Sequence, residues 1–300
     1  MKVMKFGGTS VAHASNINKV IDIILESLKR QEKIVVVVSA FSGITDDLIL
    51  LANLASKIDL KYEIIFKAIC GRHNQAIKEL INSKDKEKVL ARAGKKYDEL
   101  EEIVKNIFSA KELSLSSLDT VMSFGEQLSS YIIGEAIKSR GIPCEFIDSR
   151  IVIKTDNNFG SASVDLEKSY KLMSNYLVEK DLYIMGGFIG STKKGETTTL
   201  SRGGSDYTAS LVGAALDASV IEIWTDVDGI MTEDPKKMKD ALLIPEISYE
   251  KAEEMAYNGA KVIHPKTIRP AVLKNIPIYV KNTFNPKGQG TRISNGIETQ

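Results

Sequence analysis

The sequence predicts an α/β fold on a largely parallel sheet, and three observations carry that prediction. Short apolar runs alternate with amphipathic stretches along most of the chain. One run, IVVVV at 34–38, is apolar at every position, as expected of a central parallel strand covered on both faces. Clusters of Gly, Ser and Thr follow the runs directly, where the carboxyl ends of parallel strands would open into helices.

The first run, Val3–Phe6, reads as a strand that carries Lys5 and breaks at once into Gly7-Gly8-Thr9-Ser10. A helix follows from about Ser15, because Ile17, Val20, Ile21, Ile24, Leu25 and Leu28 fall at helical spacing. After IVVVV, residues 46–112 depart from the alternation. They are rich in Leu, Ile, Ala, Lys and Glu and show no strand pattern, so the segment reads as a helical insertion. Its charged runs, KDKEK at 84–88 and YDELEE at 97–102, read as solvated faces or turns. SFGEQLSSY, 123–131, lies in a helix that ends at Gly141 before Pro143. Further strand candidates are Cys144–Asp148, Leu182–Phe188, Val220–Trp224 and Ile278–Lys281. A second lobe is expected to start near Gly203, and SNGIETQ after Arg292 reads as a frayed tail.

Composition narrows the function classes. Hydrophobic content of 43% with 26% charged residues is ordinary for a globular protein. Forty basic against 39 acidic residues give a formal charge of +1, without the basic excess of a nucleic-acid surface. No apolar run approaches the ~20 residues of a membrane span, and the N-terminus shows no secretory signal. A cytoplasmic protein is expected. Cys70 and Cys144 lie far apart without CxxC spacing, which argues against structural zinc and for reduced thiols.

Four clusters follow candidate strands: KFGGTS (5–10), SAFSGIT (39–45), GGFIGST (186–192) and TDVDGIM (225–231). Glycine there lets main-chain N–H groups approach an anion, and the following helix adds its positive end. Each cluster alone reads better as a turn with no ligand; together, at one edge of a parallel sheet, they point to a phosphate site. The chain lacks GxxxxGK[ST], GxGxxG after a first strand, and HRDLxxxN, so P-loop, Rossmann and protein-kinase sites are set aside. What remains is a phosphate site of another design, with Lys5 as its point charge.

TTTLSRGGSDYTAS, 197–210, is the richest stretch. Ser205 is expected to N-cap a helix whose apolar face includes Ala209, Leu211, Val212 and Leu216. A capped helix accounts for Ser205 and the glycines but not for Arg202 beside Asp206. An arginine fork there suits a planar carboxylate. In SFGEQLSSY, Glu126 and Ser130 stand one turn apart, and Gly125 hints at a close approach. Alone, such a helical glutamate reads as a surface residue, and the glycine equally as tolerated packing.

KFGGTSVA, VVVVSAFSGIT, SFGEQLSS, GGFIGSTKKGETTTLSRGGSDYTA, WTDVDGIMTEDP and GAKVIHPKTI, in this order, resemble the aspartokinases, a branch of the amino acid kinase family. The resemblance covers about residues 2–292. It implies a three-layer α/β/α sandwich and transfer of the γ-phosphoryl group of ATP to the β-carboxylate of L-aspartate, the first step toward lysine, threonine and methionine. By similarity, Lys5 with the backbone of Gly7 and Gly8 would hold the phosphates, and Asp206 would orient the lysines, chiefly Lys5. Ser39 and Thr45 would line the space between nucleotide and amino acid. Glu126 would receive the substrate ammonium and Arg202 would clamp the α-carboxylate. Thr225, Asp226, Met231, Lys236 and Lys261 match positions on the nucleotide side. Mg²⁺ would be held mainly by the ATP phosphates, without a protein metal cluster.

The resemblance further implies an amino-acid-binding lobe to about residue 202, including the 46–112 insertion, an ATP-binding lobe over about 203–292, and a tail at 293–300. A homodimer through the N-terminal lobe is expected. The chain departs from the pattern at Met231, where tyrosine is common, at Lys236, where arginine is common, and at Ser201, where glycine is usual. Aspartokinases usually continue past GTRI into ACT regulatory domains, so a catalytic module without intrinsic feedback control is expected, open to control by a separate regulatory subunit. Two alternatives stay open: a kinase for another free amino acid, and a nucleotide-binding regulatory subunit without catalysis.

Overall fold

The computed structural model describes residues 1–30, 32–232, 241–257 and 265–296. The chain opens with β1 (Lys2–Phe6), α1 (Ala14–Leu28) and β2 (Ile34–Val38). Four helices follow in succession: α2 (Ile44–Ser56), α3 (Tyr62–Leu80), α4 (Ser83–Ala110) and α5 (Leu115–Lys138). The alternation then resumes with β3 (Glu145–Ile147), the single turn α6 (Ser149–Val152), α7 (Leu166–Tyr176) and β4 (Leu182–Gly186). A small hairpin, β5 (Ile189–Ser191) and β6 (Thr197–Thr199), leads into α8 (Gly204–Ala215) and β7 (Val220–Thr225). Beyond these lie β8 (Glu246–Ser248), α9 (Tyr249–Tyr257), α10 (Pro265–Leu273), β9 (Ile278–Asn282) and β10 (Thr291–Ser294).

Eight strands join in the order β3-β4-β2-β1-β7-β9-β10-β8. From β3 to β9 every pair is parallel, and β10 runs antiparallel to β9. β1 sits between β2 and β7, with Lys5 opposite Val37 on one side and Ile223 on the other. The chain thus winds outward from β1 in both directions, and the crevice at its carboxyl end is a topological switch point, where open α/β sheets bind ligands.

Strand alternation sorts the core into two layers. Met4, Phe6, Val36, Val38 and Ile184 pack under α1 to α5, while Val3, Val35, Val37, Met185 and Ile223 pack under α7 to α10. This is the α/β/α sandwich that the resemblance implied. Helices α2 to α4 occupy most of the segment read as a helical insertion. Between them and the sheet runs α5, buried at every position from Val121 to Gly134. A helix covered on all sides must carry its polar residues as satisfied or functional groups. Among the described residues, no helix is long and apolar enough to cross a membrane.

Three details differ from expectation. β4 ends at Gly186 rather than Phe188, because Phe188 adopts a left-handed backbone (φ 66°) that turns the chain out of the sheet. Gly203, not Ser205, caps α8: its φ of 79° needs no Cβ, and Ser205 falls in the first helical turn. The short strands β5, β6, β8 and β10 span only three or four residues, too few to show a period in the sequence.

Glycine sets the approach of α5 to the sheet, since a Cβ on Gly134 would stand 2.9 Å from Cγ2 of Ile184. Gly134→Ala should therefore destabilise the protein. The overpacking costs roughly 1–3 kcal/mol against up to ~1 kcal/mol gained in helix propensity. Gly94→Ala in α4, where a Cβ meets open space, should instead stabilise by up to ~1 kcal/mol. Urea denaturation of both variants checks the pair; equal effects would remove the packing argument.

Candidate active site

The loops after β1, β2, β4 and β7 converge with the start of α8 around one cleft of about 460 Å³. Its lining brings together Lys5, Gly7, Gly8, Ser39, Thr45, Glu126, Asp206 and Thr225, all expected site residues. Arg202 is exposed beside the cleft rather than in its lining. Asp226 is exposed next to Thr225, whose Oγ1 donates to its Oδ1 at 3.1 Å. Met231 is half-buried outside the lining and bridges to Leu243. Lys236 and Lys261 lie outside the described residues.

Lys5 is buried on the face of β1 covered by α8, and its Nζ stands 2.6 Å from Oδ1 of Asp206 in the first turn of that helix. A lysine in a central strand needs such a partner, because an unpaired buried charge costs several kcal/mol. Immediately beyond, the Gly7 amide donates to the Trp224 carbonyl at 3.0 Å, which ties the tip of β1 to β7. Gly8 passes close to the next loop: a Cβ there would lie 3.2 Å from the Ala40 carbonyl oxygen. The positive ends of α2 and α8, capped by Gly43 and Gly203, both open on the cleft. Bare backbone, an ammonium and two helix N-termini make this region suited to anionic phosphate.

The opposite wall comes from α5. Oε1 of Glu126 accepts the Ala40 amide at 3.1 Å, while Oε2 has no partner among the described residues. Burial pushes this carboxyl up to about 8, against the pull of its backbone hydrogen bonds. The surrounding SFGEQLSS residues hold the loop that Glu126 meets. Ser129 Oγ donates to the Ser39 carbonyl at 2.8 Å, and Gln127 joins Ser123 and Arg150. Gly125 allows the contact, since a Cβ would come within 2.7 Å of the Ala40 Cβ. The close approach that this glycine hinted at is the β2–α2 loop.

Sequence reasoning passed over Phe41 and Phe188, which also line the cleft. Phe188 is held in its left-handed conformation from both sides: its N–H donates to Thr208 Oγ1 at 3.1 Å, and its carbonyl accepts the Leu200 amide at 2.8 Å. Both aromatics lie inside Gly/Ser clusters already singled out. Nothing in their own residue type marks them, because a phenylalanine in a loop carries no pattern of periodicity or charge.

Comparisons with known proteins agree with this geometry. The chain is 37% identical over 311 residues to lysine-sensitive aspartokinase 3 of Escherichia coli, covering 99% of this chain and 64% of that protein. It is 35% identical over 295 residues to a chloroplastic bifunctional aspartokinase/homoserine dehydrogenase of Zea mays, covering 97% of this chain and 32% of that one. The chain thus spans about a third to two thirds of the length of these relatives. A crystal structure of E. coli aspartokinase III with aspartate and ADP superposes over 100% of this chain and 65% of that one, with a TM-score of 0.91 at 35% identity. The model of the amino acid kinase family matches residues 1–282, every strand and loop that builds the cleft included, and the chain belongs to that family.

Proposed function

We propose that the chain transfers the γ-phosphoryl group of ATP to the β-carboxylate of L-aspartate, giving 4-phospho-L-aspartate. The observation that carries this reading is Glu126, a buried cleft carboxyl with one oxygen unpartnered among the described residues. Leaving such a group unsatisfied costs roughly 1–3 kcal/mol, which an acceptor ammonium would relieve. A free amino acid has that ammonium; an N-acylated one lacks it. Further support is the likeness to the aspartokinase III that was crystallised with aspartate and ADP.

In this reading Arg202 takes the α-carboxylate with its planar fork. Ser39 and Thr45 border the space between acceptor and nucleotide, Thr225 and Asp226 face the nucleotide, and Met231, Lys236 and Lys261 belong to the same side. The β-carboxylate, with an ordinary pKa near ~3.9, is already ionised at neutral pH, so no general base is needed. Catalysis then rests on alignment and on neutralising the transferring phosphoryl group. Lys5, steadied by Asp206, and the amides around Gly7, Gly8 and the start of α8 supply that positive field.

Mg²⁺ would enter on the triphosphate. Among the described residues there is no group of three or more His, Cys, Asp or Glu side chains placed to hold a metal. Asp206, a carboxylate in the cleft lining, would stand beside such an ion. When bound, the ion would neutralise phosphate charge. The product would enter the pathway to lysine, threonine and methionine in the cytoplasm, and the working form would be a homodimer.

A hydroxamate assay across aspartate, glutamate and related amino acids tests the acceptor. Turnover with aspartate is expected, and turnover with a different acceptor alone, or ATP binding without turnover, would overturn the assignment. Lys5→Ala should lower kcat by about 100-fold or more. Arg202→Ala should raise KM for aspartate by about 10-fold or more with kcat largely kept.

Glu126 also makes binding pH-dependent. Its folded pKa, about 8, lies above the ordinary 4.5. Stability linked to this proton is therefore full below pH 4.5 and declines as pH rises to about 8. Glu126→Gln should lack that decline in urea melts across the same window. Below pH 8, an ammonium docking on the ionised form expels the proton. Calorimetric binding of aspartate at pH 7 should consequently change in heat with the ionisation enthalpy of the buffer. A buffer-independent heat would sink the ammonium assignment.

A further inference from the structure

We propose that Asp119, on α5, is a positioning residue that fixes where the segment 200–204 meets the cleft, and hence the spacing between Glu126 and Arg202. Asp119 is 0% exposed. Its carboxylate is engaged by three donors: Oδ1 accepts Thr199 Oγ1 at 2.6 Å, and Oδ2 accepts the Thr199 and Gly160 amides, each at 2.9 Å. Hydrogen bonds to a charged acceptor are about twice as strong as neutral ones, so this is a firm anchor between a buried helix and the end of the β5–β6 hairpin.

The anchor hands its position directly to the cleft. The residue after Thr199, Leu200, donates its amide to the carbonyl of Phe188 at 2.8 Å. Phe188 in turn donates to Thr208 Oγ1 at 3.1 Å, and that hydroxyl donates to the Gly204 carbonyl at 2.9 Å in the first turn of α8. Arg202 and Gly203, the left-handed cap of α8, lie between these fixed points. Asp119 also precedes Glu126 by seven residues, close to two helical turns, so both carboxylates share one face of one rigid helix. One helix therefore holds the ammonium site directly and the guanidinium-bearing segment through Thr199.

Asparagine at 119 would keep an oxygen for the two amides and could donate its NH₂ to the Thr199 hydroxyl, so it is a mild change; alanine removes all three bonds and frees the hairpin end to move. A displacement of about 1 Å at such a site changes recognition by up to ~100-fold.

The inference rests on the reading that an amino acid spans Glu126 and Arg202, and the experiment separates the two. Asp119→Ala should raise KM for aspartate about 10-fold or more while KM for ATP stays within about twofold. Thr199→Ser, which keeps the hydroxyl, should behave as wild type, and Thr199→Val should fall between. A merely structural role would lower kcat with the folded fraction and leave KM for aspartate unchanged, and that result would overturn the proposal. Hydrogen exchange on the ligand-free protein gives a readout independent of activity. Asp119→Ala should speed exchange at 198–206 and leave β1, β2 and β7 unchanged. Unaltered exchange at 198–206, or a uniform rise across the sheet, would also overturn it. Should Asp119→Ala fail to fold, Thr199→Val carries both measurements. Wild-type protein inactive on aspartate, with the local exchange change present, would remove the functional reading and leave the positioning role standing.

Discussion

The architecture depends on burying a lysine at the end of its central strand. Lys5 sits among strands that are apolar on either side, opposite Val37 and Ile223. An ammonium there is tolerable only with a carboxylate at hand. Asp206 supplies it at 2.6 Å, from the first turn of the helix packed on that face of the sheet. The pair therefore fixes α8 relative to β1, points the positive end of α8 into the cleft, and leaves a cation held in place at the switch point. On the proposed reading, a phosphate arriving there meets a charge whose desolvation has already been met in folding, and little rearrangement is required of it.

The other half of the site is set by α5, which lies on the opposite face of the sheet and is buried along most of its length. Its two carboxylates on one face have contrasting surroundings. Asp119 is engaged by three donors and serves as an anchor. Glu126 has one amide donor, and burial pushes its pKa up to about 8. The same helix thus carries one acid with both oxygens engaged and one with an oxygen left over. The two differ in the number of N–H and O–H groups aimed at each, not in depth, since both are buried.

Much of this could be read in the sequence, and what could not has a physical cause. IVVVV, the helical spacing after residue 15 and the glycine clusters located the core strands and the sheet edge, because periodicity and backbone freedom are local properties. SFGEQLSS and LSRGGSD marked α5 and the start of α8. Glu126 read on its own as a surface residue, because burial depends on α2 to α4 folding over α5, and no local pattern reports that. Asp119 escaped notice for the same reason: its donors are 41 and 80 residues away. Phe188 needed its left-handed backbone to be seen before its place in the cleft made sense. Arg202 was read from its type and neighbours, and it stands at the cleft's margin, exposed.

On the proposed reading, the state of Glu126 makes acceptor choice an act of charge creation. In the empty cleft at neutral pH this carboxyl is largely protonated, so Glu126 itself presents no fixed negative charge to attract cations or repel nucleotide. An arriving α-ammonium makes ionisation favourable and gains a buried ion pair. An acceptor without that group meets a neutral acid and gains nothing from it. Discrimination then comes from a difference between two states of one side chain rather than from steric exclusion, and it operates in the pH range below about 8, where the proton is present to be displaced. The negative charge also appears only when an ammonium is beside it to neutralise it. A permanently ionised glutamate in the same cleft would oppose the triphosphate whenever the acceptor was absent.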